Sequence, residues 1–304
     1  MGFFRNIKKD GALYIMALPA LIALLAFSYL PMFGVILAFK RINYASGILK
    51  SPWVGFDNFK FLFKSNAAFT ITRNTIVYNL VFIVLGLVFA TFIAIILNEI
   101  KNRIASKIYQ TVFIMPYFLS WVVVAFVAKA FLDHDLGYIN HLLTSMGLEK
   151  AQFYFETKYW PFILVFAQLW KTLGYNSIIY LAAITGISTE YYESATLDGA
   201  TKWQQAIYIT IPSIKPMIII LTIMAVGKIF NSDFGLFYQV PLGHGQLYPV
   251  TQVIDTYVYN GLVQGGGNIG MSAAAGLYQS VVGFILVVVT NKITKKVDEG
   301  YALF

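Results

Sequence analysis

Apolar residues are grouped along this chain in long unbroken stretches rather than in short periodic ones. A helix needs about 20 apolar residues to cross a hydrocarbon core, and runs of that length stand near residues 12–37, 74–98, 108–132, 160–186, 214–236 and 268–291. Six spanning helices are therefore predicted. The run at 74–98 carries no charge, whereas those at 108–132, 160–186 and 214–236 each carry a lysine in or near the apolar zone. No run alternates polar and apolar residues as a half-buried strand does, so an all-α membrane protein is expected, with residues 1–304 forming one membrane domain.

Composition agrees with the pattern. Hydrophobic residues make up 58% of the chain and charged residues only 12%, about half the charged share of a soluble domain. There is no cysteine, which excludes disulfides and thiolate metal sites, and His134, His141 and His244 are too scattered to suggest a metal centre. The net charge of +8 is spread over the ends of the apolar runs and forms no basic stripe, so lipid headgroups are the expected partner and nucleic acid is not. Arg5, Lys8 and Lys9 precede a stretch uncharged from Gly11 to Phe39, too long for a removable signal and read as a first span.

Lysine and arginine also suggest an orientation. With the N-terminus inside, Arg5, Lys8, Lys9, Lys101, Arg103, Lys107, Lys202, Lys215, Lys292, Lys295 and Lys296 lie in the cytoplasm. Lys40, Arg41, Lys50, Lys60, Lys64, Arg73, Lys150 and Lys158 lie outside, a bias of eleven against eight. The expected product is a multi-pass protein of the cell membrane with both termini cytoplasmic. The first outer connection, around Pro52, Trp53, Phe56 and Phe59, suits a piece lying at the headgroup level. Gly265, Gly266 and Gly267 read as a flexible joint before the last span, not as a phosphate loop, because no strand precedes them and no Lys-Ser/Thr follows.

Residues 187–212 are too polar to span and too apolar for a plain loop. Ser188 or Thr189 can cap a helix with Glu190 in its first turn. Asp198-Gly199 supplies a turn in which glycine takes a positive φ, and a second short helix is expected to run to Pro212. The product is a helix–turn–helix hairpin.

Glu193-Ser194-Ala195, Asp198-Gly199-Ala200 and Ile211-Pro212 together resemble the E-A-A, D-G-A and L-P pattern of the membrane subunits of binding-protein-dependent (type I) ABC importers, with Ser194 and Ile211 as departures. Further stretches are similar to the polysaccharide-type sugar permeases related to the maltose importers: Phe27 to Met32, Gly55 to Phe59, Arg73-Asn74-Thr75, Met115-Pro116, Tyr257-Val258-Tyr259 and Asn291-Lys292-Ile293. The resemblance implies that 187–212 is a coupling segment docking on an ATPase subunit, through Glu193, Ser194, Ala195, Asp198, Gly199, Ala200 and Pro212. It implies as partners a second homologous permease, two ATPase subunits that hold the ATP and Mg2+, an extracytoplasmic solute-binding protein and a carbohydrate cargo. On that reading the chain itself carries no cofactor, no metal and no catalytic residue.

Intramembrane polar groups are costly and usually face a cavity or the bundle interior. Gln168, Thr172 and Tyr175 fall at helical spacing on one face, with Lys171 beside them. In the resembling family the helices on either side of the coupling segment contact sugar, which implies Gln168, Thr172 and Tyr175 together with Asn231 and Asp233; Lys171 is a further candidate by its charge, and a charged sugar is expected if Lys171 or Lys228 faces the cavity. Helix–helix hydrogen bonding, or an ion pair using Lys171, Lys228 and Asp233, would explain the same residues. Tyr117, Trp121, Tyr278 and Gln279 are secondary candidates.

Two other classes fit less well. An ion-coupled carrier could use Lys171 and Asp233 as a relay, but has no use for a coupling hairpin. A membrane hydrolase needs a nucleophile with its base, and the sole local cluster, Asp133-His134-Asp135, reads as a solvated turn.

Overall fold

The computed structural model describes residues 11–43, 45, 47–263 and 269–297. Arg5, Lys8, Lys9 and the triple glycine at 265–267 lie outside the described residues. Among those described, the elements that build the fold are helices: α1 (Gly11–Phe39), α2 (Asp57–Lys64), α3 (Asn66–Glu99), α4 (Arg103–Phe118), α5 (Trp121–Leu132), α6 (Trp160–Thr185), α7 (Thr189–Leu197), α8 (Lys202–Gly227), α9 (Phe234–Gln239), α10 (Ile254–Val263) and α11 (Ile269–Val297).

Four helices are long and apolar enough to cross a membrane by themselves: α1, α3, α8 and α11. A fifth span results if α4 and α5 are counted together, although they meet at a bend of 98°. With 26 residues, α6 has the length but not the apolarity of those four. Gln168, Lys171, Thr172, Tyr175, Asn176 and Ser177 are the reason, all in its middle.

Three expected boundaries need correction. The run at 108–132 is not one helix; Pro116, which lacks an N–H, sits in a 3-10 turn (Met115–Phe118), and a new helix starts after Ser120, whose hydroxyl accepts from Val123 N. The run at 214–236 stops at Gly227, and residues 228–233 are non-helical before α9. The segment after Gly199 does not stop at Pro212 either. A π turn over Ala206–Thr210 widens the helix just where the proline ring would clash with the preceding turn, so α8 runs on unbroken.

Helices α3 and α6 pack along most of their lengths and form the axis of the molecule. The end of α4 lies so close against α6 that it demands Gly174, because a Cβ there would overlap the Phe113 carbonyl. At one end of the α3–α6 pair, Tyr78, Trp160, Leu164 and Ala167 build an apolar cluster with Phe237, Val240 and Leu247. At the other end, Ala90, Ala94 and Leu97 pack on Tyr180, Leu181, Ile184 and Ile214. A third cluster joins Leu62, Ala68 and Ile71 to Phe230, Ile254 and Ala275, tying α2 and α3 to α10 and α11. The first connection is pinned to this side: Asn58 Nδ2 donates to the Ala38 and Lys40 carbonyls, and the Phe39, Phe56 and Phe59 rings lie 5.5–5.7 Å apart.

Residues 133–159 and the 187–212 segment lie at opposite ends of α6. The Asp133-His134-Asp135 cluster is a turn, as its polarity suggests: Asp133 Oδ1 accepts from Asp135 N at 3.0 Å and Leu136 N at 3.1 Å. Those two N–H donors hold the Asp133 carboxyl below the usual carboxylate range.

Candidate functional site: a polar cavity and a capped hairpin

Between the two apolar clusters of the α3–α6 pair the packing opens into a cavity of about 440 Å³. One wall of α3 (Asn79, Phe82, Ile83, Gly86, Leu87) faces one wall of α6 (Gln168, Thr172, Tyr175, Asn176, Ile179), and α8 closes the third side with Leu221, Thr222 and Ala225, with Lys228 just beyond its end. The size lies within the range of about 300–1,000 Å³ usual for small-molecule pockets. Tyr117 and Tyr175 line it as a stacked pair, centroids 4.4 Å apart and planes within 9°. Gln168 brings a buried side-chain oxygen, Oε1, with no hydrogen-bond partner among the described residues. Burying such an acceptor unmatched costs about 1–3 kcal/mol, so it is available to a polar solute. Thr172 spends its hydroxyl proton on the Gln168 carbonyl, 2.7 Å away, and has only lone pairs left to offer.

Of the residues singled out from sequence, Gln168, Thr172, Tyr175 and Asn231 come together here. Lys171 and Asp233 do not. Lys171 is not among the lining residues: its ammonium donates to the Tyr117 and Leu119 carbonyls at 2.7 and 2.6 Å, and lies 5.5 and 5.3 Å from the Tyr117 and Trp121 ring centres. Those carbonyls are the ones left open by the bend between α4 and α5, and the lysine closes them. Asp233 caps α9, accepting from Gly235 N and Leu236 N, and its other oxygen accepts from Trp121 Nε1 at 2.8 Å. Lys171 and Asp233 therefore form neither an ion pair nor a relay; both are occupied in holding chain breaks.

Sequence reasoning passed over Asn79 and Asn176 and left Lys228 out of the site. Asn176 was reachable, since it continues the face of Gln168 and Thr172 at positions 168, 172 and 176. Asn79 carried a weaker signal, one amide in the most apolar span. Its Nδ2 reaches the Ile229 and Asn231 carbonyls and Ser232 Oγ, and so holds the 228–233 segment from α3.

At the other end of α6 the polar 187–212 segment makes two antiparallel arms. Ser188 Oγ accepts from Glu190 N to start α7. Gly199 turns the chain with a positive φ, and Thr201 with Gln204 forms a reciprocal capping box that starts α8. The arms are tied by Gln205 Nε2 donating to Thr196 Oγ1 at 2.8 Å and by the Tyr192 and Thr210 hydroxyls, 3.0 Å apart. Lys202 pairs with Glu99 at 3.1 Å, fastening the hairpin to the end of α3. Glu193, Ser194, Asp198 and Gly199 are exposed, and around them stand exposed Tyr191, Leu197, Trp203 and Tyr208, with Leu197 90% accessible. Ala195 and Ala200 are half-buried. Pro212 is exposed but lies in the body of α8, away from the turn.

Residues 83–299, which hold the second half of α3 and nearly everything after it, match the family of binding-protein-dependent transport system inner membrane components. The chain belongs to this family. It is 35% identical over 294 residues to protein LplB of Bacillus subtilis (strain 168), covering 96% of this chain and 91% of that one. It is also 35% identical over 288 residues to the polygalacturonan/rhamnogalacturonan transport system permease protein YteP of the same organism, covering 94% and 88%. Among solved structures, a chain of a bacterial ABC transporter involved in the import of the acidic polysaccharide alginate superposes with a TM-score of 0.87 at 33% identity, over 98% of this chain and 100% of that chain. The alginate transporter in complex with an alginate pentasaccharide-bound periplasmic protein gives a TM-score of 0.85 at 32% identity. Family membership makes the chain a multi-pass membrane component of a transport system.

Proposed function

We propose that this chain is one of the two membrane-spanning subunits of an ATP-driven carbohydrate importer. One observation carries the reading: a single helix, α8, begins at the exposed capped turn and ends at the polar cavity. Motion imposed on the turn is thus delivered to the cavity without a flexible joint. Carbohydrate suits the cavity because sugars need apolar faces and many hydrogen bonds at once, and Tyr117 and Tyr175 sit beside Asn79, Gln168, Asn176 and Asn231. Several of the permeases it resembles are named for oligo- and polysaccharide transport.

In this reading α6 is a sixth span whose polar face is sheltered by α3, α4 and α8. The turn at Gly199 is cytoplasmic and so are both termini. Tyr191, Leu197 and Trp203, with Glu193 and Asp198, form the docking surface for an ATPase subunit, which holds the ATP and Mg2+. A second homologous permease completes the pathway, and an extracytoplasmic solute-binding protein delivers cargo to the end carrying residues 133–159. A nucleotide-driven partner can shift the bundle only by its unequal affinity for two arrangements. The arms' cross-links and the Lys202–Glu99 pair make the hairpin stiff enough to impose that difference.

The test uses the assembled transporter in proteoliposomes, with its solute-binding protein and ATP but no ion gradient. Oligosaccharide uptake is expected. Gly199→Val should leave the complex assembled and hydrolysing ATP while uptake falls at least about tenfold, because a β-branched residue resists the positive φ of the turn. Uptake that needs an ion gradient rather than ATP rules out the importer. Full uptake by the Gly199→Val complex removes the turn from the coupling path.

A further inference from the structure

The cavity contains a cation that nothing among the described residues uses. Lys228 lies at its edge, at the point where α8 ends, and its ammonium has no hydrogen-bond or ion-pair partner among the described residues. The usual reason for a lysine at a helix end is to satisfy the last carbonyls. Here that work is done by the backbone: Lys228 N bonds to Ala225 O, Ile229 N to Val226 O, and Asn231 N to the Lys228 carbonyl.

The neighbouring carboxylates are also committed. Asp233 accepts from two backbone N–H groups and from Trp121. Asp255 accepts from Ser232 N at 2.9 Å and from Gln279 Nε2 at 3.1 Å. Among the described residues no aspartate or glutamate lines the cavity; its polar wall consists of amides, hydroxyls and this one ammonium. A neutral solute would be served by the amides and hydroxyls alone, and would leave the exposed ammonium at the cavity edge unused. An anionic solute would meet it with an opposite charge.

We infer that the cargo is an acidic saccharide, a uronate oligomer, and that Lys228 reads its carboxylate while Gln168, Asn79 and Asn176 hold its hydroxyls. The inference rests on the carbohydrate reading above and names the class within it. Lys171, the other cation on the bundle axis, takes no part, because its three protons already face two carbonyls and two rings. Phosphorylated sugars share the anionic chemistry. A carboxylate is assigned over a phosphate because the cavity holds a single cation and no helix N-terminus among its lining residues, whereas phosphate sites usually collect several donors of positive character.

The experiment measures binding to the detergent-purified transporter complex without its solute-binding protein, so that the partner's selectivity does not enter. The probes are trigalacturonate, its neutral trimethyl ester and galactose 6-phosphate, against the native complex, Lys228→Gln and Lys228→Arg. The native complex should bind trigalacturonate about tenfold or more tighter than the ester, the usual yield of one charge-assisted contact. Lys228→Gln should abolish that preference without weakening ester binding, and Lys228→Arg should keep it. An unchanged preference in Lys228→Gln overturns the inference, as expected if the lysine only reaches toward lipid phosphate. Equal binding of acid and ester by the native complex overturns it too, and tighter binding of galactose 6-phosphate overturns the carboxylate assignment. None of these outcomes touches the importer reading so long as the native complex imports sugar with ATP; failure of that uptake sinks both.

Discussion

The bundle is interrupted twice, and the two interruptions are treated in opposite ways. Between α4 and α5 the chain turns by 98° and exposes the Tyr117 and Leu119 carbonyls, and a lysine from α6 plugs both. Between α8 and α9 the chain leaves the helix over residues 228–233, and the backbone there is held from three helices, by Asn79 of α3, Asp255 of α10 and Gln279 of α11. The second break is thus held by amides and a carboxylate, and its own lysine is left over. A lysine inside a bundle can be structural or functional according to whether something else supplies the donors. The two breaks are themselves joined, since Trp121, the first residue of α5, donates to Asp233, the cap of α9.

The largest effect should come from breaking the plug. Lys171→Met keeps the length and packing of the side chain but leaves two carbonyls without donors, at about 1–3 kcal/mol each. The transporter's thermal unfolding midpoint in detergent should fall by several degrees or more, for acidic and neutral cargo alike. A selective loss of acidic-cargo binding at unchanged midpoint would reverse the roles assigned to Lys171 and Lys228.

Next is Gly174→Ala. Its added methyl would meet the Phe113 and Ile114 backbone rather than a side chain that could rotate away. Overpacking of this kind costs about 1–3 kcal/mol, and it should push α4 from α6 and with it carry the Tyr117–Tyr175 stack. A lowered midpoint accompanied by weakened sugar binding is expected; a wild-type midpoint would show that the crossing is looser than described.

Asp233→Ala tests the link between the breaks. Losing an N-cap costs about 0.5–2 kcal/mol, and Trp121 loses its acceptor as well. Asp233→Asn keeps an oxygen for the cap and should recover most of the loss. Indole fluorescence of Trp121 should change in the alanine variant, and an unchanged spectrum would mean that the contact is not kept in the assembled protein.

The sequence carried the spans well where apolarity alone decides. Helices α1 and α11 follow their runs closely and α3 contains its run, starting earlier at Asn66, because nothing in these stretches competes with apolarity. The interruptions were less legible. At 108–132 the composition stays apolar through the bend, and Pro116 with Ser120 was the sole local sign. At 228–233 the polar Asn231-Ser232-Asp233 was the local sign, and the break is held by donors and acceptors on α3, α10 and α11, up to 153 residues away in sequence. Pro212 misled in the other direction, because a π turn can absorb a proline that a regular helix cannot. The cavity face of α6 was readable from its spacing, whereas the fate of Lys171 depended on carbonyls that a continuous α4–α5 helix would have hidden.

The smallest effect sharpens the comparison most. Lys228→Gln removes an exposed charge at the cavity edge whose ammonium bonds to nothing described. Its effect on stability should therefore stay within about 0.5 kcal/mol in either direction, as is usual for an unengaged surface position, and the unfolding midpoint should barely move. The same substitution at Lys171 should be costly, because a shorter neutral amide cannot reach both carbonyls. The contrast between two identical substitutions at two breaks of one bundle is then a measurement of how differently the protein employs them. If Lys228→Gln instead lowers the midpoint as much as Lys171→Gln, the ammonium at the second break is structural in the assembled transporter, the α8–α9 break is closed like the first, and the cavity offers no spare cation to a solute.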